Sequence, residues 1–352
     1  MRLAIACVGM DDAALTAFPK VVLHDHLDGG LRPGTIVELA DEIGYRNLPS
    51  TDPGTLASWF ARTVKVGGLV GYLSTFDHTI AVMQTQSAIE RVAYESAADL
   101  AADGVVYAEV RFAPELNTRR GLTMDEVLEA ALAGFARGGR DHPIEVGLVV
   151  DGMRQERRTR EAAQAAARWA AQGVVGFDIA GPEAGFPPAA HLEAFDTARR
   201  AGLGITIHAG EAHGPSSIAE AVHECGAVRI GHGVRIVDDI DGDVLGPLAT
   251  EIMQRGIVFE MCPRSNVDTG AVESLAEHPV HRLLQLGFAV TVSCDNRLMS
   301  ATSPVSELRA LVDTFGWGRR EVRRVMSTAA AAAFLPEARR RALVQRVESF
   351  EF

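Results

Sequence analysis

"GITIHAGEAHG", residues 204–214, joins a short apolar run to two chemically active side chains. Gly204–Ile207 reads as a buried strand, brief and rich in β-branched residues. It ends on His208, and Glu211 follows three residues later. A core strand gains nothing from either, because an unpartnered buried ionisable group costs on the order of several kcal/mol. An imidazole and a carboxylate delivered together at a strand end point to a site.

Seven further runs have the same character: "VVLHDH" (21–26), "VVYAEVRF" (105–112), "IEVGLVVD" (144–151), "VVGFDIA" (174–180), "AVRIGH" (227–232), "IVFEMC" (257–262) and "AVTVSC" (289–294). Ala-rich segments such as "TREAAQAAARWAAQ" (159–172) and "AAHLEAFDTARRAG" (189–202) separate them and read as helices. Eight strands alternating with helices predict an α/β chain folded as a (β/α)8 TIM-type barrel. An open doubly wound sheet would want a Gly-rich phosphate turn after an early strand, and neither G-x-G-x-x-G nor G-x-x-x-x-G-K-[ST] occurs. We expect one domain over residues 15–340. The long gap after the first run exceeds what one crossover helix needs. It holds Leu56, Trp59, Phe60, Leu69 and Phe76, so residues 31–100 are expected to form a helical lid of several short helices over the top of the barrel.

Composition narrows the function classes. The chain has 352 residues, 47% hydrophobic, with a formal net charge of -12. An acidic surface repels phosphate backbones, so no nucleic-acid partner is expected. The basic stretches Arg154–Arg160 and Arg339–Arg341 read as solvated helix faces. No run reaches the ~20 apolar residues of a membrane span, and no membrane partner is expected. Cys7, Cys225, Cys262 and Cys294 are scattered, without a C-x-x-C pair. Neither a cysteine zinc site nor a disulfide framework is indicated, and a reducing cytoplasm is the expected location.

The polar residues gather at strand ends. The first run closes in "HDHLDGG", where His24 and His26 share one face because strand side chains alternate. His208 ends the fifth run, His232 the sixth, and Asp295 with Asn296 follows the eighth. In a parallel barrel these ends converge on one rim. Three imidazoles and a carboxylate suit zinc, with water completing the set. Such an ion lowers the pKa of bound water from 15.7 to about 7. Asp295 can then accept the water's proton, His232 can stabilise the growing charge, and Glu211 can act as the acid.

The motifs "PKVVLHDHLDGGLRP", "GFDIAGPE", "ITIHAGEA", "RIGHGVRI" and "VSCDN", in this order, resemble the adenosine deaminases of the amidohydrolase superfamily. The similarity runs from about Phe18 to about Leu335. The resemblance implies one Zn2+ per chain on His24, His26, His208 and Asp295. It implies Glu211 as proton donor to N1 of a purine and His232 as the residue orienting the attack on C6. It implies substrate contacts from His26, from Asp28 to the ribose, and from the Gly181 backbone to N3. Trp59 and Phe60 fall where the family has apolar lid residues. The implied partner is a small-molecule purine nucleoside, and the implied reaction is hydrolysis of adenosine, with 2'-deoxyadenosine, to inosine and ammonia. Where the best-known members carry paired aspartates this chain has Asp295–Asn296. An amide at 296 can donate to N7 without first taking up a proton.

Three other readings compete. Relatives acting on adenine or on 5'-substituted nucleosides such as aminodeoxyfutalosine tend to carry Glu where Asp28 stands, and the shorter side chain leaves room for a ribose 5'-hydroxyl. Amidohydrolases with two metals use a carboxylated lysine at a strand end, and the fourth run ends on no lysine. A nucleoside-binding relative that has lost catalysis should show a broken ligand set or lack the acid, and every expected ligand and Glu211 are present.

Overall fold

The computed structural model describes residues 10–352, with the side chains of 66–70 left aside; Cys7 and the Leu69 side chain lie outside the described residues. Eight parallel strands form one sheet in sequence order: β1 (Lys20–His26), β2 (Val105–Phe112), β3 (Glu145–Met153), β4 (Val174–Ala180), β5 (Gly204–Ala209), β6 (Arg229–His232), β7 (Val258–Met261) and β8 (Ala289–Val292). Every residue of β1 is buried, as expected for a strand covered on both faces. A small antiparallel hairpin, Ile240–Asp241 with Val244–Leu245, lies outside this sheet and was not foreseen.

The ends of the sheet meet beyond β8. Asp25 and Asp295 form an isolated parallel bridge. The His26 amide donates to the Asp295 carbonyl at 2.7 Å, and the Asp295 amide to the His24 carbonyl at 3.0 Å. The seam closing the barrel is thus made by the backbone of three residues expected to bind metal.

Helices surround the sheet. The helix Met124–Asp141 starts with a capping box between Thr123 and Glu126 and packs on Gln86–Ala102. The approach is too close for larger residues: a Cβ on Gly138 would stand 2.5 Å from Ala97 Cβ, and one on Gly134 2.3 Å from the Glu90 carbonyl.

The segment between β1 and β2 holds the helices Pro33–Ile43, Pro53–Val82 and Gln86–Ala102. The span Pro53–Val82 starts at an Asp52 cap followed by proline. It doubles back on itself, because the rings of Trp59 and His78 meet at 5.2 Å.

Two basic stretches differ from each other. Arg339–Arg341 lies on the helix Glu337–Glu348 with its side chains largely exposed. Arg154 does not sit on a solvated helix face. It follows β3, is 3% exposed, and reaches beneath β5 to donate to the His208 carbonyl at 2.5 Å.

Candidate active site

His24, His26, His208 and Asp295 each offer one ligand atom, and these four atoms lie within 4.8 Å of one another. His24 Nε2 and His26 Nε2 stand 3.3 and 3.2 Å from Asp295 Oδ1, and His26 Nε2 stands 3.2 Å from His208 Nε2. The outer ring nitrogens face carboxylates: His24 Nδ1 to Glu260 Oε2 at 2.9 Å, His208 Nδ1 to Asp178 Oδ2 at 2.7 Å, His26 Nδ1 to Asp151 Oδ2 at 3.4 Å. Such partners fix ring orientation and leave each Nε2 directed inward, as metal-ligating histidines require. His24 Nε2 is fully buried and makes no hydrogen bond. This donor set fits a single cation.

The electrostatics agree. Burial lowers His208 to about 3, although Asp178 opposes it, so this imidazole is neutral. Burial, then Arg111, lowers His24. Burial opposes protonation of His26, yet Asp295, Asp151 and Asp28 lift it to about 9. That rise marks a corner with more negative charge than its own side chains balance. Burial would raise Asp295, but the His24 and His26 rings set against it hold it well below the usual carboxylate range.

Two residues here adopt left-handed backbone without being glycine, His232 and Asp295, each at φ 63°. Such conformations cost about 1–3 kcal/mol, persist only where the surrounding structure over-determines them, and cluster at active sites. Ser265 Oγ donates to Asp295 Oδ2 at 2.5 Å, holding that carboxylate in place.

Glu211 sits on the loop after β5. Burial, then the charge of Asp295, raises it to about 7, so a large share of it carries a proton near neutral pH. Thr269 Oγ1 donates to its Oε1 at 3.0 Å, and His232 Nε2 lies 3.7 Å from its Oε2. Glu183, from "GPE", pins the loop. Its carboxylate accepts the amides of Gly210, Glu211, Ala212 and His213 at 2.6–3.0 Å.

An open cavity of about 1030 Å3 stands above these groups, lined among others by His26, Asp28, Gly181, His208, Glu211, His232, Asp295 and Asn296. Asp28 Oδ1 and Asn296 Oδ1 are buried without partners. Gly181 is at φ 99°, and a Cβ there would meet Gln155 Oε1 at 2.4 Å. The position therefore exposes backbone to the cavity.

Trp59 and Phe60 are elsewhere. The cavity wall is made by Tyr72, Leu73, Phe76, Asp77 and Ile80, a stripe at helical spacing on the returning limb of Pro53–Val82. Phe60 is fully buried. With Trp59 it packs around His78, on the other face of that limb. Apolar character located the insertion, but it could not show which limb faces the site.

Sequence reading also missed the supporting residues Asp151, Asp178, Glu260, Ser265 and Glu183. A signal existed for some of them. Asp178 in "GFDIA" and Glu260 in "VFEMC" are charged residues inside buried strands, which need partners.

The family model for adenosine deaminase matches residues 19–350. The chain belongs to the adenosine deaminase family. An adenosine deaminase of Mycobacterium ulcerans is 55% identical to it over 332 residues, 92% of each chain. One from Mycobacteroides abscessus is 53% identical over 348 residues, 96% of each. Among solved structures, a zinc-bound amidohydrolase from Burkholderia ambifaria superposes with a TM-score of 0.82 at 26% identity, covering 97% of this chain and 92% of that one. The adenine deaminase of Arthrobacter aurescens superposes with a TM-score of 0.84 at 24% identity, covering 94% and 98%; at that identity the likeness is one of fold. This adenosine deaminase family member thus has the expected eight-stranded barrel, nearly closed and flanked by helices. No helix among its described residues is long and apolar enough to cross a membrane.

Proposed function

We propose that this chain hydrolyses adenosine, and 2'-deoxyadenosine, to inosine and ammonia, using one zinc ion held by His24, His26, His208 and Asp295. The observation that carries the reading is the convergence of those four donors beside Glu211 and His232, at a cavity that His26, His208, Glu211, His232 and Asp295 line. The more than 50% identity to two adenosine deaminases over nearly the whole chain supports it.

Zinc held there would polarise a water and supply hydroxide near neutral pH. Asp295 receives the water's proton, its Oδ2 steadied by Ser265. Glu211, its protonated form favoured by burial, gives its proton to N1 as oxygen adds to C6. His232 stabilises the negative charge that grows on the oxygen as the water gives up its proton, before it adds to C6. Asp295 passes the proton it took up to the exocyclic nitrogen, the C–N bond breaks and ammonia leaves, and the C6 hydroxyl returns a proton to Glu211 as the carbonyl forms.

Gly181 contacts N3 through its backbone and Asn296 contacts N7. The unpartnered Asp28 Oδ1 accepts from a ribose hydroxyl. In a single barrel domain of residues 15–340, the part of the 31–100 insertion that acts as lid is the limb carrying Tyr72, Phe76 and Ile80, which covers the base, while Gln86–Ala102 belongs to the outer ring. The three described cysteines are free and buried, which suits a reducing cytoplasm.

A substrate panel of adenosine, 2'-deoxyadenosine, adenine and a 5'-modified adenosine, followed by loss of the purine absorbance band, tests the reading. The two unmodified nucleosides should be turned over with the highest kcat/KM. Preference for adenine or the 5'-modified compound would overturn the substrate and leave the chemistry. Absence of turnover on all four would favour a binding protein.

A further inference from the structure

A chain of buried hydrogen bonds runs away from His232. Asn266 Nδ2 lies 3.0 Å from His232 Nδ1, Asn266 Oδ1 lies 3.1 Å from His278 Nε2, and the Val280 amide donates to His278 Nδ1 at 3.1 Å. His232, Asn266 and His278 are all at most 2% exposed. We propose that Asn266 and His278 are positioning residues that hold His232 as its Nε2–H tautomer, with the Val280 amide as fixed anchor. The proposal rests on His232 acting in deamination as described above.

The direction of the chain follows from donor and acceptor chemistry. A main-chain N–H can only donate, so His278 Nδ1 carries a lone pair. The neutral His278 ring then bears its proton on Nε2 and donates to Asn266. Burial lowers His278 to about 3, so the ring is neutral across the working range. The Asn266 carbonyl must face His278; the flipped amide would set N–H against N–H. Its amide nitrogen is then left to donate to His232 Nδ1. That nitrogen is an acceptor, and the ring proton resides on Nε2, the atom 3.7 Å from Glu211 Oε2.

The consequence is a division of roles. His232 meets the attacking oxygen with an N–H and can stabilise charge there, but has no free lone pair to take the water's proton. Proton uptake falls to Asp295. Without the relay the two neutral tautomers would compete, and the Nδ1–H form would turn a lone pair toward an oxygen that is gaining negative charge.

The test is 15N NMR of the zinc-loaded protein labelled at histidine, with the His232 signals assigned by loss in His232→Gln. Wild type should show an unprotonated Nδ1 and a protonated Nε2 at His232. A protonated Nδ1 in the wild type would overturn the proposal. Asn266→Asp is nearly isosteric but can only accept, so it should draw the proton of neutral His232 to Nδ1. Its kcat should fall about 10²-fold, the usual effect of losing one donor to a developing oxyanion, with KM, zinc content and thermal midpoint little changed. Wild-type kcat in Asn266→Asp would overturn the relay. His278→Gln, whose amide nitrogen can still donate to Asn266, should keep more activity than His278→Leu; equal loss in both would count against it. Failure of the wild type to turn over adenosine would instead remove the functional reading, and the tautomer of His232 would still be measured independently.

Discussion

Two groups of buried charge share the barrel, and they differ in how far the protein completes them. In the interior, Arg111 lies 2.6 Å from Asp178 and 2.8 Å from Glu260. Arg229 lies 2.5 Å from Glu109 and 2.7 Å from Glu260. Thr206 and Tyr107 donate to the same glutamates. Every charge there has an opposite partner, and only the Nε of each arginine lacks a well-directed hydrogen bond. At the mouth, His24 Nε2, Asp28 Oδ1, Asp151 Oδ1 and Asn296 Oδ1 are buried with no partner. Burial alone does not separate structural from functional groups, since both sets are hidden from solvent. What separates them is whether the protein itself supplies the missing partner.

The comparison predicts that the two groups fail in different currencies. Glu211→Gln should lower kcat for adenosine by about 10³-fold, within the usual range for a general acid, while bound metal and thermal midpoint stay at wild-type values. Unchanged turnover would remove Glu211 from the acid role. Arg111→Met should do the reverse. It leaves Asp178 and Glu260 short of a buried cation, which costs about 3–5 kcal/mol. A marked drop in thermal midpoint should appear in the zinc-loaded protein; an unchanged midpoint would mean the interior group is not structural.

Chelation is the intermediate case. Removing metal should abolish activity, and zinc should restore it, while the circular dichroism of the barrel persists because the interior pairs do not need the ion. Unfolding on chelation would erase the distinction between the two groups.

The smallest effects are those of pH, and the two groups should respond in opposite directions. Glu211 must carry its proton to act, and its pKa is raised to about 7. The pH–rate profile should therefore fall as pH rises through neutrality. Glu260 is opposed by burial but held well below its ordinary 4.5 by Arg111 and Arg229. Its stabilising contribution is present above the unfolded value and is lost as pH falls through the folded one. Acid should thus lower the thermal midpoint, and alkali should lower activity first. A midpoint insensitive to acid would contradict the interior half of this account.

Much of this was legible in the sequence because it is carried by local pattern. Strand runs such as 105–112 and 174–180 coincide with β2 and β4, since parallel strands covered on both faces must be short and apolar. His24, His26, His208 and Asp295 could be singled out because each is a polar residue at the end of such a run. The rest depends on three-dimensional return of the chain. Trp59 and Phe76 are equally apolar, and only the doubling back of Pro53–Val82 decides that Phe76 lines the cavity while Trp59 packs behind it. Arg154 looked solvated beside Arg157 and Arg158, because nothing local reveals a guanidinium that reaches the His208 carbonyl. Asn266 and His278 carry no strand-end signature at all.

The central claim is that one cation sits where four side chains meet, and anomalous diffraction at the zinc absorption edge tests it most directly. A zinc-loaded crystal should give one strong peak per chain, within bonding distance of Nε2 of His24, His26 and His208 and of an Asp295 carboxylate oxygen. A fully active crystal whose only peak lies elsewhere, or which shows two peaks at the mouth, would contradict it.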